Sequence, residues 1–229
     1  MGATSQSTFT FILGLFVILF ALELIFGTNA FNLLQKRKYS FRNLFPFELA
    51  QGAKRWFVPF HYIFVGGISL SMMAFGYFYF DKLAAMNEIS NVTQIIGSIL
   101  WVIIGGTQFL LFVLTLKYPR LRLVVMGINV IAVIGVSSLL GTHYFNLFGG
   151  NHYSGLTAII TYIPAFVTII LIVNPNLYKY TIVDKRIRQD GVLDITRPNN
   201  YAPAYTEWLV ILVNAALFII INIINLVYF

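Results

Sequence analysis

Six apolar segments alternate in this chain with loops that hold 14 of its 15 Lys and Arg residues. The segments cover approximately residues 8–27, 58–80, 92–116, 121–145, 153–175 and 207–229. A bilayer core of about 30 Å needs roughly 20 helical residues at about 1.5 Å each. In hydrocarbon no water satisfies a free N–H or C=O, so a lone spanning segment must be helical. The expected fold is an all-α, polytopic bundle of six transmembrane helices in one domain, residues 1–229. Composition agrees. The chain is 59% hydrophobic and 10% charged, against roughly 45–50% and about 25% in soluble domains.

The basic residues set the expected orientation. Loop 28–57 carries Lys36, Arg37, Lys38, Arg42, Lys54 and Arg55. The loop near 117–120 contributes Lys117 and Arg120, with Arg122 just inside the next span. Loop 176–206 carries Lys179, Lys185, Arg186, Arg188 and Arg197, whereas the second and fourth loops hold only Lys82. Short loops rich in Lys and Arg stay cytoplasmic. Both termini are therefore expected outside, with two long basic loops of ~30 residues in the cytoplasm of a cell (plasma or inner) membrane. The first span is expected to be retained, because no basic n-region precedes it as in a signal peptide. The net charge of +7 flanks apolar spans, which suits anionic lipid headgroups and not nucleic acid.

The two long loops differ in character. Loop 28–57 mixes Phe31, Leu33, Leu34, Phe41, Leu44, Phe45 and Phe47 with its cations, a composition suited to a segment lying in the headgroup plane. In loop 176–206, Asp190-Gly191 between β-prone runs signals a two-residue hairpin turn.

Polar side chains inside spans need partners, so they point to helix interfaces or cavities. Counted from the basic end, Gln108, Asn129, Thr168 and Asn214 all fall roughly 10–14 Å deep. This belt is either helix glue or a binding site for a small, largely uncharged solute. Amides suit the second role because they donate and accept without charge. Glu23 lies about one turn inside span one, and His61 lies at similar depth in span two. Together they form a candidate proton or gate pair. Span six aligns Asn214, Phe218, Asn222 and Asn225, with the Phe218 ring interrupting the stripe. His143 and His152 flank a short external segment without a third ligand, so no metal site is expected. The absence of cysteine removes thiol chemistry and disulfides. No phosphate loop, nucleophile–base order or HExxH is present, so an enzyme is the least favoured class and no cofactor is expected.

The stretch Phe64-Val65-Gly66-Gly67-Ile68-Ser69 resembles the small amide and urea channels. That resemblance implies six spans and external termini. It covers six residues, and the long basic first loop departs from those short-looped proteins, so no functional residue is carried across. The leading expectation is a non-catalytic subunit of a larger membrane assembly with membrane protein partners. The alternative is a channel or carrier for a small solute.

Overall fold

The computed structural model describes residues 6–115, 118–147, 152–177, 185–187, 193–195 and 199–228. Six long helices are present: α1 (Gln6–Gln35), α3 (Phe57–Ala85), α4 (Asn91–Val113), α5 (Pro119–Leu147), α6 (His152–Ile172) and α7 (Ala202–Tyr228). One short helix, α2 (Glu48–Gln51), lies in the first loop. All six long helices are long and apolar enough to cross a membrane, and the protein is a multi-pass membrane bundle. Neighbours pack in chain order, and α7 closes the ring against α6 and α1 while also touching α4 and α5.

Several helices overrun the apolar runs that predict them, because leaving hydrocarbon does not end a helix, whereas a cap does. α1 continues to Gln35 and stops at Lys36, which has a left-handed φ of 53°. The Lys36 N–H bonds the Asn32 carbonyl at 3.0 Å, the αL form of a helix stop. The Asn32 side chain then accepts the Tyr39 N–H at 2.7 Å and turns the chain back. α3 ends in a Schellman motif. Asn87 takes φ 58°, its N–H bonds Ala84, and the Glu88 N–H bonds Leu83.

The loop after α1 departs from the expected headgroup-plane segment. Leu44, Phe45, Phe47 and Leu49 are buried in one core cluster with Phe112, Val125, Trp208 and Ile211. They form a plug inside the basic end of the bundle. The plug's backbone is satisfied locally by the Tyr39 hydroxyl and the Glu48 carboxylate, and by the segment that leads into α7, as buried peptide groups require. The Trp208 indole donates to the Leu44 carbonyl at 2.9 Å, and the Tyr201 N–H donates to Arg42 at 2.8 Å. The six cations of the loop remain exposed, so one segment sorts its apolar and basic residues to opposite sides.

In the later loop, β1 (Lys185–Ile187) pairs antiparallel with β2 (Leu193–Ile195). Ile187 faces Leu193, a register that leaves an odd number of residues between the strands. A two-residue turn at Asp190-Gly191 would instead pair Gln189 with Val192. Those two turn residues lie outside the described set.

A second core fills the opposite half of the bundle with Phe9, Phe16, Phe75, Trp101, Val133 and Phe218. Gly76 permits its closest approach. A Cβ there would lie 2.1 Å from the Trp101 Cβ, whereas one at Gly66 would meet nothing within 4 Å. Gly76→Ala is therefore expected to lower stability by about 1–3 kcal/mol through overpacking. Gly66→Ala should leave it nearly unchanged, and equal thermal midpoints for the two variants in detergent would contradict this packing.

Candidate functional site

α1 presents Phe16, Glu23, Gly27 and Ala30 on its buried side. Gly27 lets the Phe57 ring approach, at 3.2 Å from where a Cβ would stand, and His61 follows Phe57 by one turn of α3. The expected pair meets here. His61 Nδ1 lies 2.7 Å from Glu23 Oε1, with both residues fully enclosed. His61 Nε2 lies 3.3 Å from the Phe112 carbonyl. A carbonyl only accepts, so Nε2 carries a proton. One further proton then sits between Nδ1 and the carboxylate, and the pair is neutral while it holds that proton. A half-open cavity of about 300 Å³ reaches His61 from the basic end, with Phe47, Gln51, Arg55 and Tyr62 in its walls. The second carboxylate oxygen, Oε2, is buried without a hydrogen-bond partner.

The polar belt is buried throughout, but it is joined in separate pieces. The Asn214 amide donates to Gln108 Oε1 at 2.7 Å, linking α7 to α4. Asn129 does not reach Gln108. It donates to Thr107 Oγ1 at 2.7 Å, linking α5 to α4. Thr168 turns its hydroxyl back to Pro164 and Ala165 on its own helix, at 3.0 and 2.9 Å. Equal depth therefore does not make one site of the four. Gln108 Nε2, Asn129 Oδ1 and Asn214 Oδ1 remain buried without partners.

Reading from sequence missed the most enclosed charges. Arg122 and Glu207 are both fully buried. Arg122 Nε donates to Glu207 Oε1 at 2.9 Å, and Nη2 donates to Glu207 Oε2 and to the Leu111 carbonyl. The guanidinium lies over the rings of Phe47 and Phe45, at 4.6 and 5.3 Å from their centroids. The available signal was an opposite charge at matching depth in two spans, each near its basic end. Lys82 also differs from expectation. It sits in the last turn of α3, not in a loop, and it is buried. Its ammonium donates to Asn225 at 3.1 Å and lies 5.2 Å from the Phe9 ring centroid. Beside it, the Tyr79 and Tyr144 hydroxyls join α3 to α5 at 2.5 Å.

Among the described residues no three His, Cys, Asp or Glu side chains group to hold a metal. No protein family, curated protein or solved structure matches this chain.

Two outcomes test this geometry. Arg122→Met removes the counter-charge of the buried Glu207, and it should cost about 3–5 kcal/mol in thermal unfolding. Adding Glu207→Leu should recover much of that loss, and a double variant worse than the single one would sink the pairing. For the other pair, the chain has only three histidines, which makes nitrogen-15 labelling simple. The NMR signal of His61 Nε2 should be that of a protonated nitrogen at neutral pH. An unprotonated Nε2 would overturn the bond to Phe112.

Proposed function

We propose that this chain is a non-catalytic integral subunit of a larger membrane assembly, with its basic loops in the cytoplasm. One observation carries the reading: interior polar groups are used to join helices. Glu23–His61 joins α1 to α3, and Gln108–Asn214 joins α4 to α7. Asn129–Thr107 joins α5 to α4, Arg122–Glu207 joins α5 to α7, and Lys82–Asn225 joins α3 to α7. Such bonds fix helix register in a medium where apolar packing alone discriminates weakly between faces. Between the belt and Asn222, the buried rings of Phe218 and Trp101 close the middle of the bundle. This arrangement suits a scaffold better than a wet path.

A second reading is a channel or carrier for a small, largely uncharged solute. The three partnerless belt atoms favour it, since they offer one donor and two acceptors at one depth. The proton shared by Glu23 and His61 would then stand at its inner gate.

The experiment purifies the chain in mild detergent. The subunit reading expects it to travel with a membrane partner in fixed ratio over two unrelated columns, and to carry no urea or glycerol when reconstituted alone. A lone, monodisperse bundle that conducts such solutes, with flux lost in Asn129→Leu or Gln108→Leu, would replace that reading with the second.

A further inference from the structure

At the end of the bundle away from the basic loops, α4 and α5 flank an open surface groove of about 650 Å³. Its polar wall includes Glu88 and His143. His143 Nε2 is buried without a hydrogen-bond partner. Among the described residues no Lys or Arg lines the cavity, and Glu88 is its carboxyl group. The Schellman stop at Asn87 fixes Glu88 at the rim. On α5, Thr142 stands beside His143 at the rim with its hydroxyl paired to the Tyr162 hydroxyl at 3.2 Å, and Ser138 lies one turn deeper than Thr142. Both Ser138 and Thr142 are exposed on the outer face of a membrane helix, where neighbouring residues such as Ile131 and Phe145 are apolar. Across from them on α4, Ile96 and Leu100 supply an apolar floor, with Leu139 of α5 beside Ser138.

We infer that this groove binds a phospholipid whose headgroup carries a primary ammonium. The vertical order of the groove, with a carboxylate at the rim, a hydroxyl below it and apolar side chains opposite, matches the ammonium, an ester carbonyl and an acyl chain of such a molecule. Three N–H donors would meet the Glu88 carboxylate and His143 Nε2 at the rim. The Ser138 hydroxyl would donate to an ester carbonyl about 7–8 Å further in than His143 along α5. The acyl chain would lie along Ile96 and Leu100. A small hydrophilic amine would leave the apolar floor uncovered. An anionic headgroup would bring its charge against Glu88 with no cation to offset it. A trimethylammonium headgroup fits the charge but has no N–H to give the acceptors.

The test offers the full-length protein in detergent an equimolar mixture of phosphatidylethanolamine, phosphatidylcholine and phosphatidylglycerol, and native mass spectrometry reads the lipids retained. A charge-assisted hydrogen bond is strong enough to give a preference of about tenfold for phosphatidylethanolamine. Glu88→Gln should reduce that preference to near parity. Ser138→Phe, which fills the groove without changing charge, should lower retention of every lipid. Equal retention of the three lipids by the parent would overturn the proposal, as would an unchanged preference in Glu88→Gln. Displacement of the retained lipid by free ethanolamine would assign the site to a small amine and overturn the lipid as its ligand. Circular dichroism and column profile establish that each variant is folded. Should Glu88→Gln fail that check, His143→Phe replaces it, with the same loss of preference expected and an unchanged preference contrary to the proposal.

Discussion

A guanidinium with no exposed surface must be neutralised and hydrogen-bonded on the spot, and the basic half of this bundle is arranged to do so. Arg122 on α5 meets Glu207 on α7, takes the Leu111 carbonyl from α4, and lies against Phe45 and Phe47 from the first loop. Four parts of the chain therefore converge on one side chain. Desolvating two charges costs several kcal/mol each, so such a pair adds little net stability over an apolar equivalent. Its contribution is better described as register: any slide of α5 along α7 separates the charges and leaves both buried. The plug depends on the same contact, since its two aromatic rings are held under the cation.

The remaining polar contacts repeat this logic with weaker groups. α7 takes part in two of them, through Asn214 and Asn225, as well as in the Glu207 pair, and its contacts extend to α1, α4, α5 and α6. It is the helix against which most of the others are positioned. α1 differs. Only about a fifth of its most apolar window is buried, and its buried polar links include Glu23 to His61 and Gln35 to the Gly52 carbonyl. Because the Glu23–His61 pair is neutral when it holds its proton, it fits a location near hydrocarbon. A bare carboxylate would not.

Six helices were legible because runs of ~20 apolar residues have few alternatives in lipid. Depth was legible too, since rise per residue is fixed. That is why Glu23 and His61, and Gln108 and Asn214, meet as their levels suggest. What depth does not supply is azimuth, the direction each side chain faces around its helix. Asn129 and Gln108 share a level, yet Asn129 finds Thr107. Thr168 faces its own carbonyls. Arg122 and Lys82 were read as flanking charges because hydropathy treats any Lys or Arg near a span end as solvated. A carboxylate at Glu207 and an amide at Asn225, both distant in sequence, keep them inside. The plug escaped notice for a related reason: Phe45 and Phe47 beside six cations look amphipathic. Their burial depends on Tyr201 and Trp208, more than 150 residues later.

That separation bears on how the protein is made. α1, α3 and α4 can enter the membrane and pack in order as they are synthesised. The plug is completed later: the Tyr39 hydroxyl serves its carbonyls locally, but the Trp208 indole and the Tyr201 N–H arrive with the last segment to emerge. Until α7 is inserted, Leu44, Phe45 and Phe47 face water or headgroups, and Arg122 lacks its counter-ion. Both halves of the bundle thus close only with α7: the basic half gains Trp208 and Glu207, and the opposite core gains Phe218 and the partner of Lys82. A ribosome stalled before residue 202 would leave an inserted but half-built protein, with its aromatic segment available to membrane quality control.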